Sequence, residues 1–369
     1  MINKQLKLIL VSTPVGYLGS GRGGGVEITI ISLIKGLIFL GHKIILVAPK
    51  GSKIPIESAN LEIILVDGIN QPSWQHQNKT DPVKIPANSV LPKLWEVVID
   101  LSNHSDAVIN FAYDWLPLWL TKTKQTKIFH LISMGAESNV MKEIISETSQ
   151  LFPLQLAFHT NSQSKDYSLN TDPIIVGNGF DKENYFFNEN ENGPLGWAGR
   201  IAPEKGLEDA VKIASDLGEK LLVWGFIEDK EYASYIENIF KKGIIEWKGF
   251  LPTSQFQAEL GYCRAFINTP KWNEAYGNVI VEALACGVPV IAYDLGGPGE
   301  LIEDGLNGFL VQPNDLEGMI KATKSVSKIK RRNCREWFEK NATNKVFAER
   351  VENWINKGLN KNISEDFQN

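Results

Sequence analysis

The stretch Trp272-Asn273-Glu274-Ala275-Tyr276-Gly277-Asn278-Val279-Ile280-Val281-Glu282-Ala283-Leu284 sets two carboxylates eight positions apart around a glycine that opens an apolar helix. Just before it, Ala265-Phe266-Ile267-Asn268 is a short apolar run, and residues 279–285 carry small and branched side chains at helical spacing. The order is therefore strand, loop, helix, strand. Within a single helix, eight positions would leave the carboxylates about 80° apart in azimuth and about 12 Å apart in rise, so Glu274 is expected in the loop. Gly277 and Asn278 then form the helix N-terminus, where unpaired N–H groups and the positive dipole end suit a phosphate. Glu282 lies one turn in, able to accept from hydroxyls.

A second motif, Trp197-Ala198-Gly199-Arg200-Ile201-Ala202-Pro203-Glu204-Lys205-Gly206, supplies two cations beside glycine turns. Arg200 can fork onto two oxygens while Lys205 gives a point charge, the pairing wanted for neutralising a diphosphate leaving group. A third, Asp294-Leu295-Gly296-Gly297-Pro298-Gly299-Glu300, allows close backbone approach to a ligand or an unusual turn, and Glu300 is expected to open the next helix.

These motifs, with Asp304-Gly305-Leu306-Asn307-Gly308-Phe309-Leu310-Val311 after them, resemble the retaining GT-B glycosyltransferases that carry a Glu-x7-Glu motif, across essentially the whole chain. The resemblance implies an α/β fold of two Rossmann-like domains with parallel sheets facing an inter-domain cleft. It implies that Glu274 contacts the donor sugar hydroxyls, that Glu282 holds the ribose, and that Arg200 and Lys205 bind the diphosphate. Arg200, Lys205 and Glu274 are thus the implied catalytic set. Gly24, Gly25, Gly199, Phe250, Ala275, Tyr276, Gly277, Asn278 and Val279 complete the implied donor site.

The N-terminal run 11–27, from Val11 through Gly16, Gly24 and Gly25 to Glu27, fits that family's first strand, glycine-rich loop and following helix. Together with Ala112-Tyr113-Asp114-Trp115-Leu116-Pro117, it resembles more narrowly the cyanobacterial enzymes that move glucose from UDP-glucose to tetrahydrobiopterin. The same run contains Gly19-Ser20-Gly21-Arg22-Gly23-Gly24, which literally satisfies the dinucleotide pattern G-x-G-x-x-G. That pattern wants an acidic residue ending the second strand, yet the run 43–50 ends in Pro49 and Lys50, which weakens a nicotinamide reading. A dehydrogenase, a sugar-nucleotide epimerase and a nonenzymatic sugar-nucleotide binder remain the alternatives, alongside a glycosyltransferase of the same fold with another donor and a lipid or saccharide acceptor.

Many relatives place a histidine just after the fourth strand. Here Tyr113 or Asp114 occupies its approximate place, and Asp114 is favoured as an acceptor-side contact. Gly16, Tyr113, Trp115 and His130 join it as acceptor candidates. A flat pterin can stack on the aromatic cluster near Tyr113, Trp115 and Trp119, although aromatic core packing is equally compatible. His130 lies inside Ile128-Phe129-His130-Leu131-Ile132 and reads more often as a satisfied core histidine than as a ligand.

The 369 residues exceed one ordinary core and suggest two domains, with 43% hydrophobic and 22% charged residues. This composition agrees with the expectation of a soluble cytoplasmic enzyme. The formal charge of −5 argues against nonspecific nucleic-acid binding, and no segment is long enough to span a bilayer. The partners implied are small molecules, with membrane contact not expected and the oligomeric state open. Lys328, Lys330, Arg331, Arg332 and Arg335 form a local basic run whose plain reading is a solvated helix face. Cys263, Cys286 and Cys334 are far apart and odd in number, which points to reduced buried thiols. The five histidines form no i, i+4 pair and no Asp-x-Asp occurs, so no metal and no cofactor is expected beyond the donor substrate.

Residues 6–11, 43–48, 61–66, 107–111 and 127–132 read as strands of one parallel sheet. Residues 195–198, 220–224, 244–248, 265–268 and 288–292 repeat the pattern after the polar linker 181–193. The expected division is an acceptor-binding domain over 1–178 and a nucleotide-sugar domain over 179–345, with an amphipathic helix over 346–359 crossing back onto the first. The segment 67–92, with Trp74, His76 and four prolines, is expected as a long loop, and 360–369 as a frayed end. Mechanistically, the resemblance implies retention of anomeric configuration without an enzymic nucleophile, the departing diphosphate leading.

Overall fold

A computed structural model describes residues 4–74, 78–123, 127–189, 192–240 and 242–366. The chain divides into two compact units, Met1–Phe180 with Asn344–Asn369, and Asp181–Thr343.

In the first unit, β1 (Lys7–Val11), α1 (Gly25–Phe39), β2 (Lys43–Pro49) and β3 (Leu61–Val66) are followed by α2 (Val90–Ser102) and β4 (Ala107–Asn110). Then come α3 (Trp115–Thr123), β5 (Ile128–Ile132), α4 (Asn139–Leu151), β6 (Leu156–Phe158), α5 (Asn161–Ser164) and β7 (Ile174–Ile175). The sheet runs β3-β2-β1-β4-β5-β6-β7, and every pairing is parallel. Its central strands are near-continuous runs of Leu, Ile and Val because both faces are covered. Leu8 and Leu10 of β1 enter the core with Ile30, Leu33 and Leu37 of α1, while Ile9 and Val11 enter the one with Leu91, Leu94 and Trp95 of α2.

The second unit repeats the plan. It comprises β8 (Leu195–Ala198), α6 (Leu207–Leu217), β9 (Leu221–Trp224), α7 (Lys230–Ile239), β10 (Ile245–Gly249) and α8 (Thr253–Gly261). The chain continues through β11 (Ala265–Asn268), α9 (Asn278–Ala285), β12 (Val290–Tyr293), α10 (Pro298–Leu301), β13 (Gly308–Val311), α11 (Leu316–Lys324) and α12 (Arg331–Asn341). The order is β10-β9-β8-β11-β12-β13, again all parallel. A final helix, α13 (Asn344–Asp366), belongs to the first unit. Its Phe347, Val351, Trp354 and Ile355 pack into the α1 core, and the Trp354 indole donates to Leu154 O at 2.8 Å.

Several local expectations are corrected. Strands β6, β7 and β13 have no clear alternation, being two to four residues long, and do not stand out in the sequence. The segment 67–92 ends in structure, since α2 starts at Val90. Ser89 Oγ accepts from the Leu91 N–H at 3.2 Å, and Pro92 sits in the first turn, where its missing N–H costs no hydrogen bond. His76 lies outside the described residues. The helix expected over 346–359 starts at Asn344 and runs to Asp366, leaving 367–369 outside the described residues. The basic run is more than a solvated face. Buried Arg331 donates to the carbonyls of Asn188, Gly261 and Cys263, and Arg335 donates to those of Tyr185 and Ala285. Gly261 and Ala285 end α8 and α9, where unpaired carbonyls and the negative dipole end favour a cation. The three cysteines are free and buried, and burial pushes each thiol up to about 12.

Candidate functional site

Open parallel sheets bind ligands outside the carboxyl ends of their strands, where the strand order reverses. In the second unit that point falls between neighbours β8 and β11, since β8 leads outward to β9 and β11 leads the other way to β12. Gly199, Arg200 and Lys205 leave β8, and residues 269–277 leave β11, so one topological feature gathers the two motifs.

The two loops are tied together. Gly206 has φ 63, and a Cβ there would lie 1.9 Å from Thr269 O, so only glycine fits this contact. Thr269 Oγ1 donates to Gly206 O at 2.8 Å and the Lys271 N–H donates to Glu204 O at 2.9 Å. On the far side, Gly296 and Gly297 let their loop lie directly on the 274–276 backbone. The Gly297 N–H donates to Glu274 O at 2.6 Å, and a Cβ on Gly297 would be 2.0 Å from Tyr276 O. The close approach anticipated for the third motif is thus to the Glu274 loop, which it clamps. Glu300 stands in the first turn of the short α10.

Glu274 is in the loop, as its spacing implies. Its Oε2 accepts from Lys205 Nζ at 2.6 Å and from the Trp272 indole N–H at 3.1 Å. Lys205 Nζ also stands 4.5 Å from the centre of the Trp272 ring, and Arg200 Cζ stands 6.0 Å from it. Burial pushes the Glu274 carboxyl up, but the Lys205 charge and hydrogen bond, the Trp272 N–H and the Arg200 charge outweigh it, and the net shift is downward. Glu274 is therefore a carboxylate at neutral pH. Arg200 is itself held by Glu228 at 2.6 Å and Glu204 at 2.8 Å. Both cations that the sequence offers to a diphosphate are matched here by carboxylates of the same unit.

Glu282 lies on the buried face of α9, with Oε1 accepting from the Tyr185 hydroxyl at 2.9 Å. Burial pushes this carboxyl up to about 7, with the Tyr185 hydrogen bond opposing. Gly277 caps α9 at φ 104, a glycine conformation, with no side-chain cap bond. Ala275, Asn278 and Val279 are half-buried beside it and Tyr276 is buried. Phe250, just past β10, is 69% exposed, a large apolar face left open to a ligand. Among the described residues, no group of three or more His, Cys, Asp or Glu is placed to hold a metal ion.

In the first unit the strand order reverses between β1 and β4. Gly16, at φ 76, and the glycine-rich loop leave β1, whereas Tyr113 and Asp114 leave β4. The loop folds around buried Glu27. Gly19, Gly21 and Gly23 N–H groups and Ser20 Oγ all donate to its carboxylate, at 2.7, 3.3, 2.8 and 3.1 Å. Those amides face an internal anion, and the dinucleotide pattern is spent on a carboxylate of the fold. Gly24 and Gly25 stay exposed at the start of α1.

Two acceptor candidates are corrected. His130 is fully buried, its ring nitrogens meeting Asn110 Nδ2 at 3.1 Å and Thr121 Oγ1 at 2.7 Å, and burial lowers its pKa to about 3. It is a satisfied core histidine with no group to spare. The Tyr113 hydroxyl is buried and donates to Gly135 O at 3.0 Å. Asp114 is also buried, and burial pushes its carboxyl up to about 6 against hydrogen bonds from the Leu116 and Trp115 N–H groups and the Trp74 side chain. Trp115, at the start of α3, stacks on the partly exposed Trp119 with ring centres 5.7 Å apart.

Trp272, Tyr185, Glu228 and Glu27 join these sites beyond the residues that the motifs single out. Trp272 and Glu27 were visible within the quoted motifs. Tyr185 and Glu228 contact their partners from 97 and 28 positions away, which no local spacing reveals.

Residues 181–345 match the family described as group 1 glycosyl transferases. An uncharacterized glycosyltransferase of Methanocaldococcus jannaschii is 31% identical over 160 residues, covering 42% of this chain and 44% of that protein. The chain thus spans less than half of that relative. Anabaena HepE, solved with UDP and glucose, superimposes with a TM-score of 0.71 at 16% identity, covering 96% of this chain and all of that one. Sucrose-phosphate synthase from Thermosynechococcus elongatus superimposes with a TM-score of 0.75 at 16% identity, covering 96% and 99%. The chain therefore has the GT-B fold class of two parallel-sheet Rossmann-like domains, and its second unit carries the group 1 glycosyl transferase match.

Proposed function

We propose that this protein is a retaining, metal-independent glycosyltransferase that moves glucose from UDP-glucose to a small acceptor, tetrahydrobiopterin. The observation that carries the proposal is the joining of Arg200, Lys205, Trp272 and Glu274 at the exits of β8 and β11. A donor of this kind is supported by Anabaena HepE, whose structure holds UDP and glucose. The pterin acceptor is supported by the sequence resemblance over residues 11–27 and 112–117.

Arg200 and Lys205 take the diphosphate, with Gly199 allowing close backbone approach. The α9 N-terminus, through residues 275–279, adds N–H groups and its dipole. Phe250 offers its open ring to the base, Glu282 holds the ribose, and Glu274 orients the sugar hydroxyls. As the bond from the anomeric carbon to the phosphate oxygen breaks, its electrons leave with UDP, where the two cations stabilise the growing charge. The acceptor hydroxyl attacks from the same face, and its proton passes to the departing phosphate oxygen. Asp114 and Trp115, with Gly16, are the acceptor-side contacts.

Mass spectrometry of the protein incubated with UDP-, GDP- and ADP-glucose and tetrahydrobiopterin under reducing conditions tests this. A pterin heavier by one hexose, formed with UDP, is expected. UDP release without a modified pterin would remove the acceptor, and no consumption of any donor would remove the transferase.

A further inference from the structure

Trp272 lies in the loop between β11 and α9, two residues before Glu274. The segment is pinned at both ends. Lys271 contacts Asp209 and Asn314 on one side, and Glu274 O receives the Gly297 N–H on the other. The indole N–H meets the same Glu274 oxygen that receives Lys205.

That shared oxygen creates a problem for donor binding. The Lys205 and Glu274 side chains are each more than four-fifths shielded, so an incoming diphosphate, with more charge than a carboxylate, competes for an ammonium already engaged. Once Lys205 turns to the phosphate, Glu274 loses its nearest countercharge while it must stay oriented toward the sugar. The indole supplies what remains. Its single N–H is directed at Glu274 Oε2, and its ring face, 4.5 Å from Lys205 Nζ, gives the ammonium a surface to move across. Neither phenylalanine nor tyrosine combines an N–H donor at that place with so strong a cation-binding face.

We infer that Trp272 is a positioning residue that keeps Glu274 aligned while Lys205 is handed from Glu274 to the anionic leaving group. The inference rests on the transferase reading. It predicts different consequences for the two halves of the indole.

Trp272→Phe keeps a ring face and removes the N–H, whereas Trp272→Leu removes both. For Trp272→Phe, calorimetry should give a UDP affinity within about twofold of the parent, while single-turnover consumption of UDP-glucose falls roughly tenfold, the effect of one hydrogen bond to a charged group. Trp272→Leu should also lose UDP affinity severalfold, because Lys205 loses its ring contact. In a Glu274→Gln background, adding Trp272→Phe should change turnover little. Equal turnover in Trp272→Phe and parent would overturn the inference, and so would a full tenfold loss in the Glu274→Gln background. One readout needs no substrate: the nitrogen-15 NMR signal of the Trp272 indole, assigned by its loss in Trp272→Phe, should move upfield in Glu274→Gln. An unmoved signal means that the hydrogen bond is absent, whereas a moved signal in a protein that consumes no donor would sink the transferase and leave the bond intact.

Discussion

Glu282 should make the second unit less stable as the medium turns basic, and Glu282→Gln should abolish that loss. Burial holds the carboxyl at about 7 in the fold against 4.5 for an ordinary glutamate, so between these values the folded chain binds a proton that the unfolded chain has released. By linkage, this group's contribution is most favourable while it is protonated and declines as pH rises from 4.5 through 7. The separation of 2.5 pKa units, at roughly 1.36 kcal/mol each, makes the ionised form about 3 kcal/mol less favourable in the fold at pH 8. A glutamine keeps a carbonyl for the Tyr185 hydroxyl and never ionises. Hydrogen exchange of peptides covering α9, read from pH 5 to 8, isolates the second unit. The variant should be better protected at pH 8, with the difference vanishing toward pH 4. Parallel protection profiles for parent and variant would refute a buried, neutral-leaning carboxyl. If Glu282 also holds a ribose, the same variant should bind UDP more weakly, so stability and binding move in opposite directions.

Glu228→Gln removes one of the two carboxylates that hold Arg200, and UDP affinity should rise a few-fold at low salt; calorimetry showing weaker binding would mean that Glu228 is needed to aim Arg200. Gly297→Ala forces a Cβ into Tyr276 O and should displace the Glu274 loop, lowering UDP affinity at least tenfold, unless the loop yields without cost and calorimetry finds parent affinity. Glu27→Gln replaces one of the carboxylate oxygens on which the loop amides converge with an NH2 group, so proteolysis within residues 16–24 should accelerate; an unchanged cleavage rate would mean that other contacts hold that loop.

What was readable from sequence follows physical range. Strands β1 and β2 announce themselves because strands covered on both faces are written as runs of Ile, Val and Leu, and β4, β11 and β12 as shorter apolar runs. Strand β7 has only Ile174 and Ile175 and owes its existence to β6 beside it. Glu274 could be put in a loop and Glu282 in a helix because Gly277 punctuates the motif between them. The state of those carboxylates was not readable. Lys205 comes to Glu274 from 69 positions away and Tyr185 to Glu282 from 97, and these tertiary contacts make one carboxyl more acidic and leave burial to dominate the other. The glycine-rich run shows the reverse hazard. Its pattern suggests a phosphate cradle, yet Glu27, two residues past the last glycine, claims the amides.

On the function proposed above, a nucleoside diphosphate is bound at the exits of β8 and β11 through Arg200 and Lys205. Titration calorimetry of UDP into the full chain, in the presence of a chelator and at low salt, tests it most directly against Arg200→Ala and Lys205→Ala. Binding by the parent without added metal, weakened roughly 100-fold in each variant, is the predicted result. Parent and variants binding UDP alike would contradict it, as would no binding by the parent.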